Sequence, residues 1–114
     1  MSTDLQSSFR ALGDPTRRAI LMRLSQNDMT ITEVVDSFDL TRTAVRKHLT
    51  ILEEGQLITL TSRGKERVSK LNLAGIKSTA DWFNYFDQFW DSALGSLKSA
   101  VEATPSKKPN RRKK

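Results

Sequence analysis

A short basic stretch of the sequence carries the side chains best suited to chemistry on another molecule. The apolar residues between positions 41 and 54 repeat at helical spacing, so we expect a helix there. Its first two turns would present one polar, basic face, made of Arg42, Thr43, Arg46 and Lys47. An arginine can pair bidentately with guanine, and a DNA major groove admits one α-helix. This face therefore favours DNA contact over a merely solvated surface, and we include Thr41, the expected N-cap, in the contact set.

The opposite face of this helix is apolar and should fix it to a core. Val45, Leu49 and Leu52 recur at i, i+4 and i+7, and His48, the only histidine in the chain, borders them. This histidine is either a DNA contact or pH switch, or a packing and hydrogen-bonding residue at the core edge. We favour the second interpretation.

Neither catalysis nor metal binding is indicated by the residue types. The chain has one histidine, no cysteine and no recognisable pairing of a nucleophile with a base, so we predict no catalytic residue, metal or cofactor. Asp87 and Asp91, at i, i+4, with Asp81 before them, could hold a hard cation weakly. They are more typical of the polar face of an amphipathic helix.

Two helices are predicted at the beginning of the chain. The first covers roughly residues 4–12, and the second begins at Pro15 with Asp14 as its N-cap. Arg17 and Arg18 stand near the start of the second helix, where the helix dipole does not favour positive charge. They are either contacts to DNA phosphates or part of a solvated surface.

A third, short helix is predicted over "TITEVVDSF", because Thr30 and Glu33 have the spacing of a capping box. Only about three residues separate it from the basic helix. Two helices joined by so short a turn form a helix-turn-helix. Gly55 is expected to take the left-handed position that ends the basic helix.

The hydrophobic period then changes to that of a β-hairpin. Ile58 and Leu60 alternate with threonines, "SRGKE" supplies a turn with glycine, and "RVSKLNL" returns as the second strand. The charged residues Arg63, Lys65 and Arg67 either contact phosphates or a minor groove, or form a flexible charged turn. Next to a helix-turn-helix we favour DNA contact.

The region from about 74 to 102 is predicted to be one long helix rich in aromatic residues. Six of the eight aromatic residues of the chain lie within 82–90. Apolar residues cover so wide an arc that the helix has two surfaces to bury, one in its own domain and one against a second copy. The residues assigned to this dimer interface are Phe9, Phe83, Phe86, Trp90, Leu94 and Leu97.

Length and charge predict one domain over 1–103 followed by a basic tail. Of the 19 basic residues among 114, six lie in 105–114, which leaves 13 basic against 13 acidic residues elsewhere. We expect 104–114 to be disordered. Because there is no 18-residue apolar run and no apolar signal segment, we expect a soluble cytoplasmic protein that does not enter a membrane.

The stretches "LGDPTRRAIL" and "AVRKHLTILEEGQLI", with the "SRGKERVSKLNL" hairpin, resemble the ArsR/SmtB-type winged-helix transcriptional regulators over roughly 5–100. The resemblance implies a homodimeric repressor that dimerises through its first and last helices. Arg42 and Arg46 replace residues that are usually small and polar in the family. Thr30 and Thr32 stand where metal-sensing members carry Cys-x-Cys, and "DWFNYFDQFW" is similar to the metal-independent branch related to SdpR-type autorepressors.

These expectations define a fold class and a function. The fold class is mainly α with a β-hairpin wing, a winged helix-turn-helix that dimerises through its first and last helices. The function is sequence-specific regulation at double-stranded DNA by a homodimeric repressor that occupies a promoter without a bound metal. Two alternatives remain, a protein-interaction module that uses the aromatic helix and an RNA-binding protein.

Overall fold

The computed structural model describes residues 5–103, which divide between Asp81 and Trp82 into two compact units. The sequence analysis treats 1–103 as one domain and does not predict this boundary. The expected disorder of 104–114 concerns residues outside the described range. The two units are described separately below.

The first unit contains four helices and a small antiparallel sheet, and a fifth helix begins in it. This agrees with the predicted class, mainly α with a β-hairpin wing. In chain order the elements are α1 (Leu5–Leu12), α2 (Pro15–Leu24), β1 (Met29–Thr30), α3 (Ile31–Phe38), α4 (Arg42–Glu54), β2 (Ile58–Arg63), β3 (Glu66–Leu71) and α5 (Leu73–Asn84).

Three predicted N-caps are confirmed, and each satisfies backbone N–H groups that a helix start leaves without partners. Asp14 Oδ2 accepts from the Arg17 backbone N–H at 3.0 Å. Thr30 and Glu33 form the full capping box, with distances of 3.1 and 2.8 Å. The Thr41 hydroxyl accepts from the backbone N–H three residues on, at 3.1 Å. These caps fix where α2, α3 and α4 begin.

The predicted left-handed conformation of Gly55 is wrong. Gly55 has φ −79°, and the next residue, Gln56, takes the positive φ of 64°. The glycine is needed because of a close approach, since a Cβ at this position would come within 2.8 Å of the Ser7 carbonyl oxygen. The Ser8 hydroxyl donates to the Gly55 carbonyl at 2.9 Å. Gly55 therefore lets α1 lie directly against the end of α4.

The hairpin forms as predicted and gains a third strand. The register pairs Arg63 with Glu66, so that Gly64 and Lys65 make the turn, and Gly64 has the positive φ of 62° typical of such turns. The two-residue β1 pairs with the other side of β3, which gives the strand order β1-β3-β2. A strand this short has no periodicity of its own and was not predicted.

The core of the first unit lies between the helices and the sheet. The three residues predicted to fix α4 are almost fully buried, as are side chains of α2, α3 and β2. Burial of this apolar surface supplies the main force that holds α4 in place. The largest buried apolar side chains are Ile20, Val34, Val45, Leu49, Leu52, Leu57 and Ile58.

The prediction of a single long helix after the hairpin is wrong. The helix α5 ends at Asn84, and α6 (Asp87–Ala103) begins after a turn of two residues. Asn is a weak helix former, and the charge of Asp87 suits the positive end of a new helix. The Phe86 carbonyl accepts from the Trp90 N–H at 2.9 Å and so opens the first turn of α6. Within residues 5–103, no helix is long and apolar enough to cross a membrane.

Candidate nucleic-acid interface

The basic residues predicted on α4 lie on its exposed face. Arg42, Thr43, Arg46 and Lys47 are all exposed, whereas Val45 is fully buried. Arg46 and Lys47 make no hydrogen bond or ion pair with any residue in 5–103. Their charged groups are therefore available to a partner.

Arg42 is held in place by the preceding helix. Its Nη2 donates to Oγ1 of Thr32 on α3 at 2.7 Å, so one side-chain contact bridges the turn between the two helices. The remaining N–H groups of the guanidinium are left for an acceptor. From the sequence, Thr32 was expected only to stand in place of a metal ligand. Thr32 lies ten residues earlier on another helix, so its contact with Arg42 could not be read from spacing along the chain.

The charges at the two ends of α4 oppose the helix dipole. Arg42 and Arg46 lie near its positive N-terminus, no acidic residue occupies the first turn, and Glu53 and Glu54 stand at the negative C-terminus. Each such charge costs an exposed helix about 0.3–1 kcal/mol. Within residues 5–103, only the Glu54 charge has an opposite partner nearby, Arg10 at 3.8 Å. This distribution does not stabilise the helix, which favours a role for its N-terminal half in binding.

The three predicted wing residues do not share one surface. Successive residues of a strand point to opposite faces of the sheet. Arg63 is paired with Glu66, and Arg67 is paired with Ser62, so the two arginines lie on opposite faces of the hairpin. Lys65 occupies the turn and is exposed. A single nucleic-acid surface can thus include Lys65 and one of the arginines more easily than all three.

Arg67 lies on the hairpin face that is turned toward α4. It lines a groove of about 320 Å³ together with Arg46, which brings a predicted helix residue and a predicted wing residue to one place. Neither guanidinium has a hydrogen bond or ion pair with a described residue. The other lining residues are Ile31, Leu49, Thr50 and Leu60.

Thr50 is a candidate that the sequence analysis missed. Its side chain is exposed on α4 and lines the same groove as Arg46. It stands four residues after Arg46 and seven after Thr43, the spacing of one helical face. That spacing is visible in the sequence, but Thr50 carries no charge and lies beyond the first two turns, where the basic residues of α4 are found.

Arg17 and Arg18 have a role that neither sequence interpretation included. The guanidinium of Arg17 donates to two backbone carbonyls at the end of α1, at 2.9 and 3.1 Å, and that of Arg18 donates to a third at 2.6 Å. Nη1 of Arg17 also lies 3.3 Å from Nδ1 of His48. Because a guanidinium only donates, this nitrogen of the half-buried imidazole is the acceptor. The contact agrees with the interpretation of His48 as a hydrogen-bonding residue at the core edge.

The aromatic residues of the second unit form a continuous exposed surface. The five side chains from 83 to 97 assigned to a dimer interface are between 42% and 62% exposed, and Phe9, in the first unit, is half-buried. Phe86 packs edge-on against Trp82 and Tyr85, with ring centroids 5.1 and 5.0 Å away. A groove of about 530 Å³ on this surface is lined by Phe83, Phe86, Asp87, Phe89, Trp90 and Ala93.

The carboxylates considered as weak cation ligands do not form a cluster. Across residues 5–103 there is no group of three or more His, Asp or Glu side chains that could hold a metal ion. Asp81 lies 3.1 Å from Nζ of Lys77, one turn earlier on α5. This ion pair is exposed and spaced i, i+4, as on an ordinary polar helix face.

The short helix α3 is joined by a tight turn to α4, and the β2-β3 hairpin follows. One face of α4 is buried, and its other face is exposed and basic near the N-terminus. This arrangement defines a winged helix-turn-helix DNA-binding protein. The ArsR family of bacterial regulatory proteins matches residues 14–59. The chain belongs to the ArsR family and is a DNA-binding transcription regulator.

Similar proteins agree with this assignment. The chain is 40% identical over 85 residues to an uncharacterized HTH-type transcriptional regulator, YuzN of Bacillus subtilis (strain 168), a match that covers 68% of this chain and 92% of YuzN. It is 29% identical to the transcriptional repressor SdpR of the same organism, over 79% of this chain and 100% of SdpR. The solved ArsR-like transcriptional regulator from Rhodococcus sp. RHA1 is 29% identical, with a TM-score of 0.69 over 88% of this chain and 92% of that chain.

Proposed function

We propose that this regulator is a homodimeric repressor that binds a specific site in double-stranded DNA and acts in the cytoplasm by occupying a promoter. The observation that carries the proposal is the face of α4. Arg46 and Lys47 are exposed and have no partner among residues 5–103, whereas Val45 before them and Leu49 after them are buried. A rigidly mounted helix with free cations at its start is suited to a major groove.

Within α4 the residues divide into base-reading and backbone-contacting groups. Arg46 is exposed and its guanidinium has no partner among the described residues, so we assign it to a base edge, with guanine as the preferred bidentate partner. Arg42 is tied to Thr32 at 2.7 Å, which suits a fixed contact to a phosphate or an adjacent base. Thr41, Thr43 and Lys47 supply further contacts near the helix N-terminus, where backbone N–H groups also favour phosphate.

The wing would add contacts to the DNA backbone beside the major groove. Lys65 at the turn and one of its neighbours, Arg63 or Arg67, carry the charge for this role. Contacts of this kind raise affinity for every sequence and are weakened by salt. They fix the orientation of the protein on the duplex without reading its sequence.

Dimerisation would be through the exposed apolar surface of the second unit, which includes Phe83, Phe86 and the apolar side chains of α6. Support comes from the extent of that surface, since apolar patches this large on a small chain mark interaction sites. A two-fold dimer would place two copies of α4 in successive major grooves, about 34–36 Å apart. SdpR, to which this chain is similar, is a transcriptional repressor, and this supports repression as the outcome.

We propose that the repressor works without a metal ion and has no catalytic activity. The chain has no cysteine, and its one histidine contacts Arg17 through Nδ1. The donor set that a soft or borderline metal prefers is therefore missing from these residues. DNA occupancy needs no chemical step, since the bound protein blocks the promoter sterically.

The test begins with selection of bound fragments from the source genome, followed by substitution of Arg46. Arg46→Ala should weaken binding to the selected site by about 1–3 kcal/mol if the arginine pairs with a base. Arg46→Lys is the matched control, because it keeps the charge and loses the bidentate geometry, so it should lose specificity while keeping non-specific affinity. Unchanged specific binding by both variants would show that α4 is not the recognition helix. Competition between duplex DNA and RNA of the same sequence tests the RNA-binding alternative.

A further inference from the structure

The groove between α4 and the hairpin holds two positive charges that nothing in its lining neutralises. Arg46 and Arg67 both line it, and neither has an acidic partner among the described residues. Glu66, the acidic residue next to Arg67 in sequence, lies on the opposite face of the hairpin with Arg63. Two guanidinium groups that share one groove repel each other, and an anion between them removes that repulsion.

The rest of the groove is apolar, apart from one hydroxyl. Ile31 and Leu49 come from the core and are buried, and Leu60 of β2 is half-buried. Thr50, on the α4 side, can both donate and accept a hydrogen bond. The volume of about 320 Å³ is at the lower end of the range for small-molecule sites. The lining thus combines two positively charged side chains with an apolar floor.

We propose that this groove binds a small organic anion, with its carboxylate or phosphate head between Arg46 and Arg67 and its apolar body against Ile31, Leu49 and Leu60. Guanidinium groups bind such heads through charge-assisted, often bidentate hydrogen bonds. An inorganic anion would leave the apolar floor unused, and a neutral apolar molecule would leave the two charges unpaired. The amphiphilic anion is the class that matches both halves of the lining.

Occupancy of the groove has a consequence for DNA binding. Arg46 is the residue assigned above to a base edge, so an anion that engages its guanidinium removes it from the DNA surface. The ligand would act as an inducer that competes with the operator. This consequence rests on the proposed function, whereas binding of the anion itself does not.

The site is tested first without DNA, on the full chain. Phenyl phosphate and benzoate serve as the organic anions. Inorganic phosphate is the control that has the charged group without an apolar part, and benzyl alcohol is the control that has the apolar part without a charge. NMR titration measures the affinities. At least one organic anion should bind, and more tightly than either inorganic phosphate or benzyl alcohol. If neither organic anion binds, or if inorganic phosphate binds as tightly as phenyl phosphate, the proposal is overturned.

Two arginines on opposite faces of the hairpin provide the matched variants. Arg67→Gln should weaken binding of the organic anion about tenfold or more, because a charge-assisted hydrogen bond is lost. Arg63→Gln removes the same charge from the other face and should change the affinity less than about twofold. Equal losses in both variants would mean general electrostatic attraction and would overturn the site. Arg46→Gln should weaken binding of the organic anion as Arg67→Gln does. Because Arg46 lies on α4, the same loss in this variant could not come from misfolding of the hairpin.

Measurements with DNA distinguish the proposed anion site from its proposed role as an inducer site. In wild-type protein the organic anion should lower affinity for the selected DNA site, and Arg67→Gln protein should be insensitive to the same concentration. If the anion binds through Arg67 and DNA affinity is unaffected, the site stands and its assigned role as an inducer site is wrong. If Arg67→Gln weakens DNA binding and no organic anion binds, the groove serves a DNA phosphate and the ligand proposal fails.

Discussion

Nη1 of Arg17 on α2 lies 3.3 Å from Nδ1 of His48 on α4, and the same guanidinium donates to two backbone carbonyls at the end of α1. One side chain thus connects α1, α2 and the basic helix α4. The contact makes His48 part of the support of α4 and takes Arg17 out of the set of free surface cations.

Arg17→Ala should lower the free energy of unfolding by about 1–3 kcal/mol, because it removes several charge-assisted hydrogen bonds. Arg18→Ala is the control, since Arg18 is exposed and donates to a single carbonyl, and it should cost less. Chemical denaturation measures both. A stable Arg17→Ala protein with a smaller salt dependence of DNA binding would instead support the phosphate-contact interpretation.

Asp14 should make stability depend on pH at the acidic end. The backbone N–H of Arg17, which donates to the carboxylate at 3.0 Å, lowers the pKa of Asp14 below its usual value of 3.8. The charged form therefore favours the folded state above that usual value, and its contribution is lost as the pH falls through the lowered pKa.

Asp14→Asn is the variant that isolates this effect, because asparagine also caps helices and does not titrate. The stability of wild type relative to Asp14→Asn should be constant near neutrality and should decline as the pH is lowered from about 5 toward 2. Denaturation curves at a series of pH values measure the difference. A difference that does not change with pH would mean that the carboxylate is not stabilised in the folded chain.

Gly55→Ala should destabilise the first unit although alanine is the better helix residue. Its Cβ would come 2.8 Å from the Ser7 carbonyl oxygen, so α1 or the end of α4 would have to shift, at a cost of about 1–3 kcal/mol. Gly95→Ala is the control on α6, where the added Cβ meets nothing within 4 Å. It should leave stability unchanged or raise it by up to about 1 kcal/mol. Equal effects of the two substitutions would contradict the close approach of α1.

The exposed apolar surface of the second unit should control the oligomeric state. Wild-type protein should sediment as a dimer, and a Trp90→Ser, Leu97→Ser double variant should sediment as a monomer, because both exposed apolar side chains are removed. Asp91→Asn, on the same helix, is the control and should stay dimeric. Analytical ultracentrifugation gives the masses, and circular dichroism checks that the helices remain. A monomeric wild type would favour the protein-interaction alternative over self-association.

Much of the fold could be predicted from the sequence because its signals are local. The caps at Asp14, Thr30 and Thr41 act on backbone groups three residues away, so spacing alone locates them. The burial of Val45 and Leu49 follows from helical periodicity in the same way. The break at residues 85–86 was missed because periodicity continues across it, and the features that end α5 are weak in comparison.

By itself, the sequence determined the order of the helices and hairpin, the N-terminal caps, and the basic face of α4 with its buried opposite side. Only the tertiary structure decided what lies beside that face. The register of β2 and β3 turned Arg67 toward Arg46 and Arg63 away, and the packing of α1 explained Gly55. Local spacing fixes which residues share a helix face, whereas contacts between distant elements depend on strand register and on how the core packs.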